Sequence, residues 1–147
     1  MVHGRDLSTC RLFTGYLTGY RTCTTQVELD ASHERLWIHL ASVSRFSVAL
    51  VRGAVDELAT TLASNSVCAV ACRHDRHGQV LLGVQPQTES GVVPYAERGF
   101  DARYESPMRL YLYLDETEPN RIAITFTAVV TSALVAHLRA CRSDMSE

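Results

Sequence analysis

Met108-Arg109-Leu110-Tyr111-Leu112-Tyr113-Leu114 alternates without a break. Met108, Leu110, Leu112 and Leu114 share one face, and Arg109, Tyr111 and Tyr113 take the other. That period of two is the signature of a β-strand. An acidic turn containing Pro119 follows at Asp115 to Asn120, and Arg121 to Val130 then reads as a long strand with Ile122, Ile124 and Phe126 on one face. Strands joined by a short turn pair antiparallel, so this stretch predicts an antiparallel sheet.

The same pattern extends upstream. Val67 to Arg73 reads as a strand, His74-Asp75-Arg76-His77-Gly78 as a polar turn, and Gln79 to Val84 as the returning strand. Gly91 to Val93 and Phe100 to Glu105 read as further strands. Thr22 to Asp30 alternates as a strand, with Cys23, Val27 and Leu29 in phase. After it, Ser32 can cap a helix and Glu34 sits in its first turn, while Leu36, Leu40 and Val43 fall at helical spacing beside Trp37. The spacing predicts a short helix over 33–43. Residues 46–65 stay open: Val48, Val51, Val55, Leu58 and Leu62 suit a helix, but Gly53 and the valines also suit one or two strands. Ser132 to Arg142 reads as a helix, with Leu134, Leu138 and Cys141 in line and His137 alongside. Residues 1–19 read as an irregular lead-in, although the repeated Thr-Gly-Tyr between Arg11 and Tyr20 also suits a short strand or turn. Residues 20–142 form a single domain, and 143–147 a polar tail. The fold class is α+β, with the helices as the only elements able to cover the sheet.

Composition narrows the function. The 147 residues are 46% hydrophobic and 20% charged with a net charge of −2, which predicts one globular domain. A pI near 6.3 gives no basic footprint, so nucleic acid is not expected as a partner. No apolar run approaches the ~18–20 residues of a membrane helix, and Met1 to Asp6 lacks the apolar core of a secretory signal. The expected location is cytoplasmic. All 14 basic residues are Arg, which excludes Schiff-base catalysis by lysine and fits a GC-rich coding sequence. The five cysteines are Cys10, Cys23, Cys68, Cys72 and Cys141. Cys68 and Cys72 lie ~13 Å apart along one strand, too far to pair. Free thiols in a reducing compartment are therefore expected.

Residues 24–46 carry a resemblance. Ala31, Glu34, Leu36, Trp37, Leu40, Arg45 and Phe46 are similar to the opening strand and helix of the START-like, helix-grip superfamily. Ser32 stands where Pro is common there, and Ser42 where Asp is frequent. Glu105-Ser106-Pro107-Met108-Arg109-Leu110 and the hairpin from Asp115 into Ile122 resemble the branch related to heat-shock ATPase activators. The expected Gly-rich strand start in 47–65 is missing, and members often have one more strand before the last helix. The resemblance implies a curved antiparallel sheet gripping the C-terminal helix, with a short helix after the first strand. It also implies an apolar cavity between sheet and helix. Members of the superfamily hold polyketide-like, lipid-like or hormone-like molecules there, and some catalyse cyclisation or dehydration.

The site expected on this basis has His137, Arg109 and Tyr111 as catalytic groups, with Tyr113, Leu134, Leu138 and Tyr104 against the ligand. The plainer reading puts Arg109, Tyr111 and Tyr113 on the solvent face and leaves His137 half-exposed. His74 and His77 flank Asp75, but without a second ligand pair they make a weak metal site. Trp37 reads as packing. Tyr95 and Arg103 are polar groups near a β-rich edge. No cofactor or metal is expected, and a homodimer stays open. The main rival is a non-catalytic interaction or chaperone-partner module whose interior is filled by its own side chains. Cavity volume separates the two readings.

Overall fold

The computed structural model describes residues 10–17, 21–41, 45–74, 78–86, 108–113 and 122–145. The chain runs β1 (Cys10–Tyr16), β2 (Thr22–Leu29), β3 (Leu36–Ala41), β4 (Arg45–Leu50), α1 (Arg52–Ser64), β5 (Cys68–His74), β6 (Gly78–Pro86), β7 (Met108–Tyr113), β8 (Ile122–Phe126) and α2 (Ala128–Asp144). The order is four strands and a helix, twice over. Each strand pairs antiparallel with the next, and β1 meets β8, so the sheet closes as a barrel. The expected α+β class, antiparallel sheet and C-terminal helix are all present.

The β1–β2, β5–β6 and β6–β7 ladders run nearly the length of their strands. Among the described residues, β4 meets β5 at Val48–His74 and Ala49–Arg73, and β1 meets β8 at Tyr16–Thr125.

Alternation puts one set of side chains inside. Val27, Ile38, Val48, Leu82 and Leu110 are buried, while their neighbours Gln26, Glu28, Trp37, His39, Ser47, Leu81 and Arg109 are half-buried or exposed. The inward set merges with Val55, Leu58 and Leu62 of α1 and Leu134, Leu138 and Cys141 of α2 into a single core. The helices also hold each other: Arg142 Nε of α2 donates to Asp56 Oδ1 of α1 at 2.7 Å. That ion pair is exposed enough to be worth under about 1 kcal/mol.

Residues 36–41 are a strand, which corrects the helix expected over 33–43. Ser32 does not cap a helix: its N–H and hydroxyl both donate to Asp30 Oδ1, closing a turn that ends β2. Those bonds hold the Asp30 carboxyl below its ordinary value. His33 takes a left-handed φ of 61°, and the chain reverses into β3. Leu36 and Leu40 satisfy both periods, but Ile38 is buried as well, which only a period of two allows. Trp37 lies on the outer face and stacks on His39, with ring centroids 6.0 Å apart.

The open stretch 46–65 resolves into both elements, the end of β4 and then α1. Asn65 ends α1 in the left-handed region (φ 53°) and its N–H returns to the last turn. Gly53 sits in the first turn with open space where a Cβ would go. Gly53→Ala is therefore expected to stabilise the fold by about 0.5–1 kcal/mol, read as a higher denaturation midpoint.

The lead-in contains β1, which pairs with β2 along its whole length and is part of the sheet. The last strand stops at Phe126 rather than Val130. Thr127 Oγ1 accepts a hydrogen bond from the Val130 N–H at 3.2 Å and caps α2, which starts earlier than expected. The β5–β6 hairpin matches expectation within a residue or two, and Gly78 takes the positive φ (74°) its position demands. The strands expected at 91–93 and 100–105 lie outside the described residues.

Candidate functional site

His137 points into the core from the middle of α2, 4% exposed. Its Nε2 lies 3.1 Å from the Val27 carbonyl oxygen of β2. A carbonyl only accepts, so Nε2 carries the proton and donates. The ring also tilts against Phe13 at 5.8 Å, and Cys141 Sγ lies 3.5 Å from Nε2. This nitrogen ties the helix to the sheet.

Leu134 and Leu138 are 2% and 0% exposed. A void able to hold a ligand, ~300 Å³ or more, leaves accessible area on its walls. Leu138, Val27, Leu58, Leu82 and Phe126 have none, so side chains fill the space between sheet and helices around them. Arg109 lies between buried Met108 and Leu110, and strand alternation turns it to the outer face. The sheet therefore separates Arg109 from His137. Tyr111 and Tyr113 are on β7 opposite Gly83 and Leu81. Tyr104, Tyr95, Arg103 and His77 lie outside the described residues, while His74 ends β5 and is buried. Among the described residues, no three potential ligands cluster to hold a metal.

Burial pushes the Cys72 thiol from its ordinary 9.0 up to about 12. Burial, with Asp144 and Cys10 adding, pushes Cys141 up to about 11. Cys141 is therefore a neutral thiol, and with His137 it forms no nucleophilic pair. The folded state keeps both protons where the unfolded chain gives them up. Their contribution to stability is whole below pH 9.0 and is lost as pH rises toward 11–12. Denaturation at about pH 8 and about pH 10 is expected to show lower stability at the higher value. A Cys72→Val, Cys141→Ala variant should show a shallower loss.

Two grooves open outside the core. One, about 310 Å³, runs between α1 and α2. Leu62, Ala63, Ala128, Val135 and Ala136 give it a small, largely apolar floor, with Thr131, Ser132 and Asn65 as polar points. Arg139 stands at its side with no acidic partner among the described residues. Exposed Val129 adjoins Ala128, and exposed Val67 follows two residues after Asn65. The other groove, about 260 Å³, lies on the outer face where β4 and β5 meet. Ala49 and Ala71 floor it, and Arg35, Arg73 and Gln79 line it.

Next to the second groove, three polar side chains line up across β2, β3 and β4. Ser47 Oγ lies 2.7 Å from His39 Nδ1, and His39 Nε2 lies 3.0 Å from Glu28 Oε1. The register dictates this: His39 and Ser47 are direct cross-strand partners, and Glu28 is diagonal to His39. Sequence reasoning missed this row and both grooves. Glu28, His39 and Ser47 are scattered along the chain, and only the strand reading of 36–41 brings them to one face.

No family model, curated protein or solved structure matches the chain.

Proposed function

We propose that the chain binds a small, mainly apolar molecule with an anionic end in the groove between α1 and α2. The observation that carries this is the groove itself: about 310 Å³, floored by alanines, leucine and valine, with the Arg139 guanidinium at its side. That volume reaches the range of small-molecule sites. Arg139 supplies a forked donor set suited to a carboxylate. The site expected from the START-like resemblance lies between the sheet and the last helix; side chains fill that space, and the proposed ligand lies between α2 and α1 instead. Five free thiols fit the cytoplasm as its setting.

The test is titration with a fluorescent fatty acid, alongside native mass spectrometry of protein from its own host. Arg139→Gln is expected to weaken binding about tenfold, the worth of one charge-assisted hydrogen bond. Ala136→Trp should fill the groove and abolish binding with the fold intact. Binding that is indifferent to both changes would defeat this reading. A filled interior also suits the rival, an interaction module in which the same groove takes a partner chain. A dimer mass with no bound small molecule would favour it.

A further inference from the structure

The row Glu28–His39–Ser47 has the connectivity of an activated hydroxyl. A carboxylate accepts only, so His39 Nε2 carries the ring proton and donates to Glu28. Nδ1 then offers its lone pair, and the Ser47 hydroxyl donates to it. Both His39 and Glu28 side chains are about four-fifths covered (19% and 18% exposed), and Trp37 stacks on the imidazole. The ring is thus held in one orientation.

We propose that Ser47 is the nucleophile of a second site, which hydrolyses esters whose acyl part bears a carboxylate. His39 acts as general base and Glu28 as its positioning residue. The groove beside the row supplies the substrate class. Ala49 in its floor is two residues along β4 from Ser47, ~7 Å away. Arg35 and Arg73 line it. Arg73 pairs with Ala49 and is therefore the diagonal neighbour of Ser47, placed to meet a carboxylate on the acyl part of an ester held at Ser47.

The chemistry balances with water alone. Ser47 Oγ bonds to the ester carbonyl carbon as its proton passes to His39 Nδ1, and the carbonyl electron pair moves to oxygen. That pair returns, the bond to the alcohol oxygen breaks, and His39 gives the alcohol its proton. Water then repeats the sequence on the Ser47 ester, releasing the acid and restoring the hydroxyl. Glu28 stabilises the imidazolium between transfers. The site shares no residue with the α1–α2 groove, so it stands or falls apart from the reading of that groove.

The first test is an alkyl fluorophosphonate, which marks activated serines and spares thiols, on the full chain. Peptide mapping is expected to place one adduct on Ser47, ahead of exposed Ser132 and Ser143. His39→Ala should slow labelling about a hundredfold or more. Glu28→Gln, which keeps the shape and the acceptor oxygen, should slow it because the imidazolium formed during transfer loses its counter-charge, and Glu28→Asp should recover part of the rate. A purely structural Glu28 would leave Glu28→Gln labelling at the unaltered rate. The second test compares para-nitrophenyl hemisuccinate with the acetate, each corrected for the Ser47→Ala rate. The hemisuccinate should react about tenfold faster, and Arg73→Gln should erase the difference. Labelling of Ser47 no faster than Ser132, or a Ser47 rate unchanged in His39→Ala, overturns the proposal. Mapping needs no variant, so a misfolded mutant cannot decide it. Equal rates for the two esters would overturn the substrate class.

Discussion

Leu138→Ala is expected to cost about 2–5 kcal/mol of stability in ligand-free protein. Leu138 is fully buried, in one core with Leu58, Val27 and Phe126. Truncation removes its transfer energy and leaves a hole that rigid neighbours cannot close. The strands on one side are fixed by their ladders, and α1 holds α2 on the other. Urea denaturation measures the loss, as a lower midpoint with an unchanged slope. The same residue lining an open cavity would have little packing to lose. A cost under about 1 kcal/mol would therefore show that the interior around α2 is not filled. The shortened side chain would also create an apolar void that a small hydrocarbon could enter.

Gly15→Val is expected to destabilise the protein by about 3 kcal/mol, lowering the thermal midpoint by roughly 5–10 °C. A Cβ at Gly15 would collide with Ile124 Cγ2 and lie 3.1 Å from Phe126 Cε1 and 3.2 Å from the Thr125 carbonyl oxygen. Two of those three neighbours belong to well-fixed atoms: a branched side chain in the core and the backbone of β8. The collision falls at the barrel's closing seam, beside the Tyr16–Thr125 pair of β1 and β8. Gly15→Ala should show a smaller loss, and Gly53→Ala in the same background the opposite sign, because open space surrounds Gly53. Circular dichroism melts of the three variants order these effects.

Much of the fold was legible where one period stood alone. The hairpin of β5 and β6 and the stripe Leu134, Leu138, Cys141 could be read directly, since no second pattern fits those residues. Errors arose where two periods overlapped. Leu36 and Leu40 are four apart, which suits a helix turn and two strand repeats equally. The decision lay with Ile38 and with the Asp30–Ser32 turn, whose capping-like residues served a reversal instead. β1 was hidden by its mixed composition: Thr14, Gly15 and Tyr16 form a strand because β2 pairs with them. The candidate site was less legible. A groove between two helices depends on their crossing, and Arg139 gains its setting from α1, far away in sequence. Likewise, His137 reads either as an acid–base group facing a pocket or as a half-exposed helix residue until its bond to Val27 is known.

The β4–β5 and β1–β8 seams divide the barrel into two panels, β1–β4 and β5–β8. The helices bridge them: α1 leaves the first panel and packs on β5 and β6 of the second, while α2 leaves the second and packs on β1 as well as β8. What latches the panels is the helix pair, through the shared core and the Asp56–Arg142 clasp. A molecule seated between α1 and α2 would press on that latch. Its arrival would stiffen or loosen the whole barrel at once, so occupancy could be felt on the outer face of either panel without any strand changing its partner.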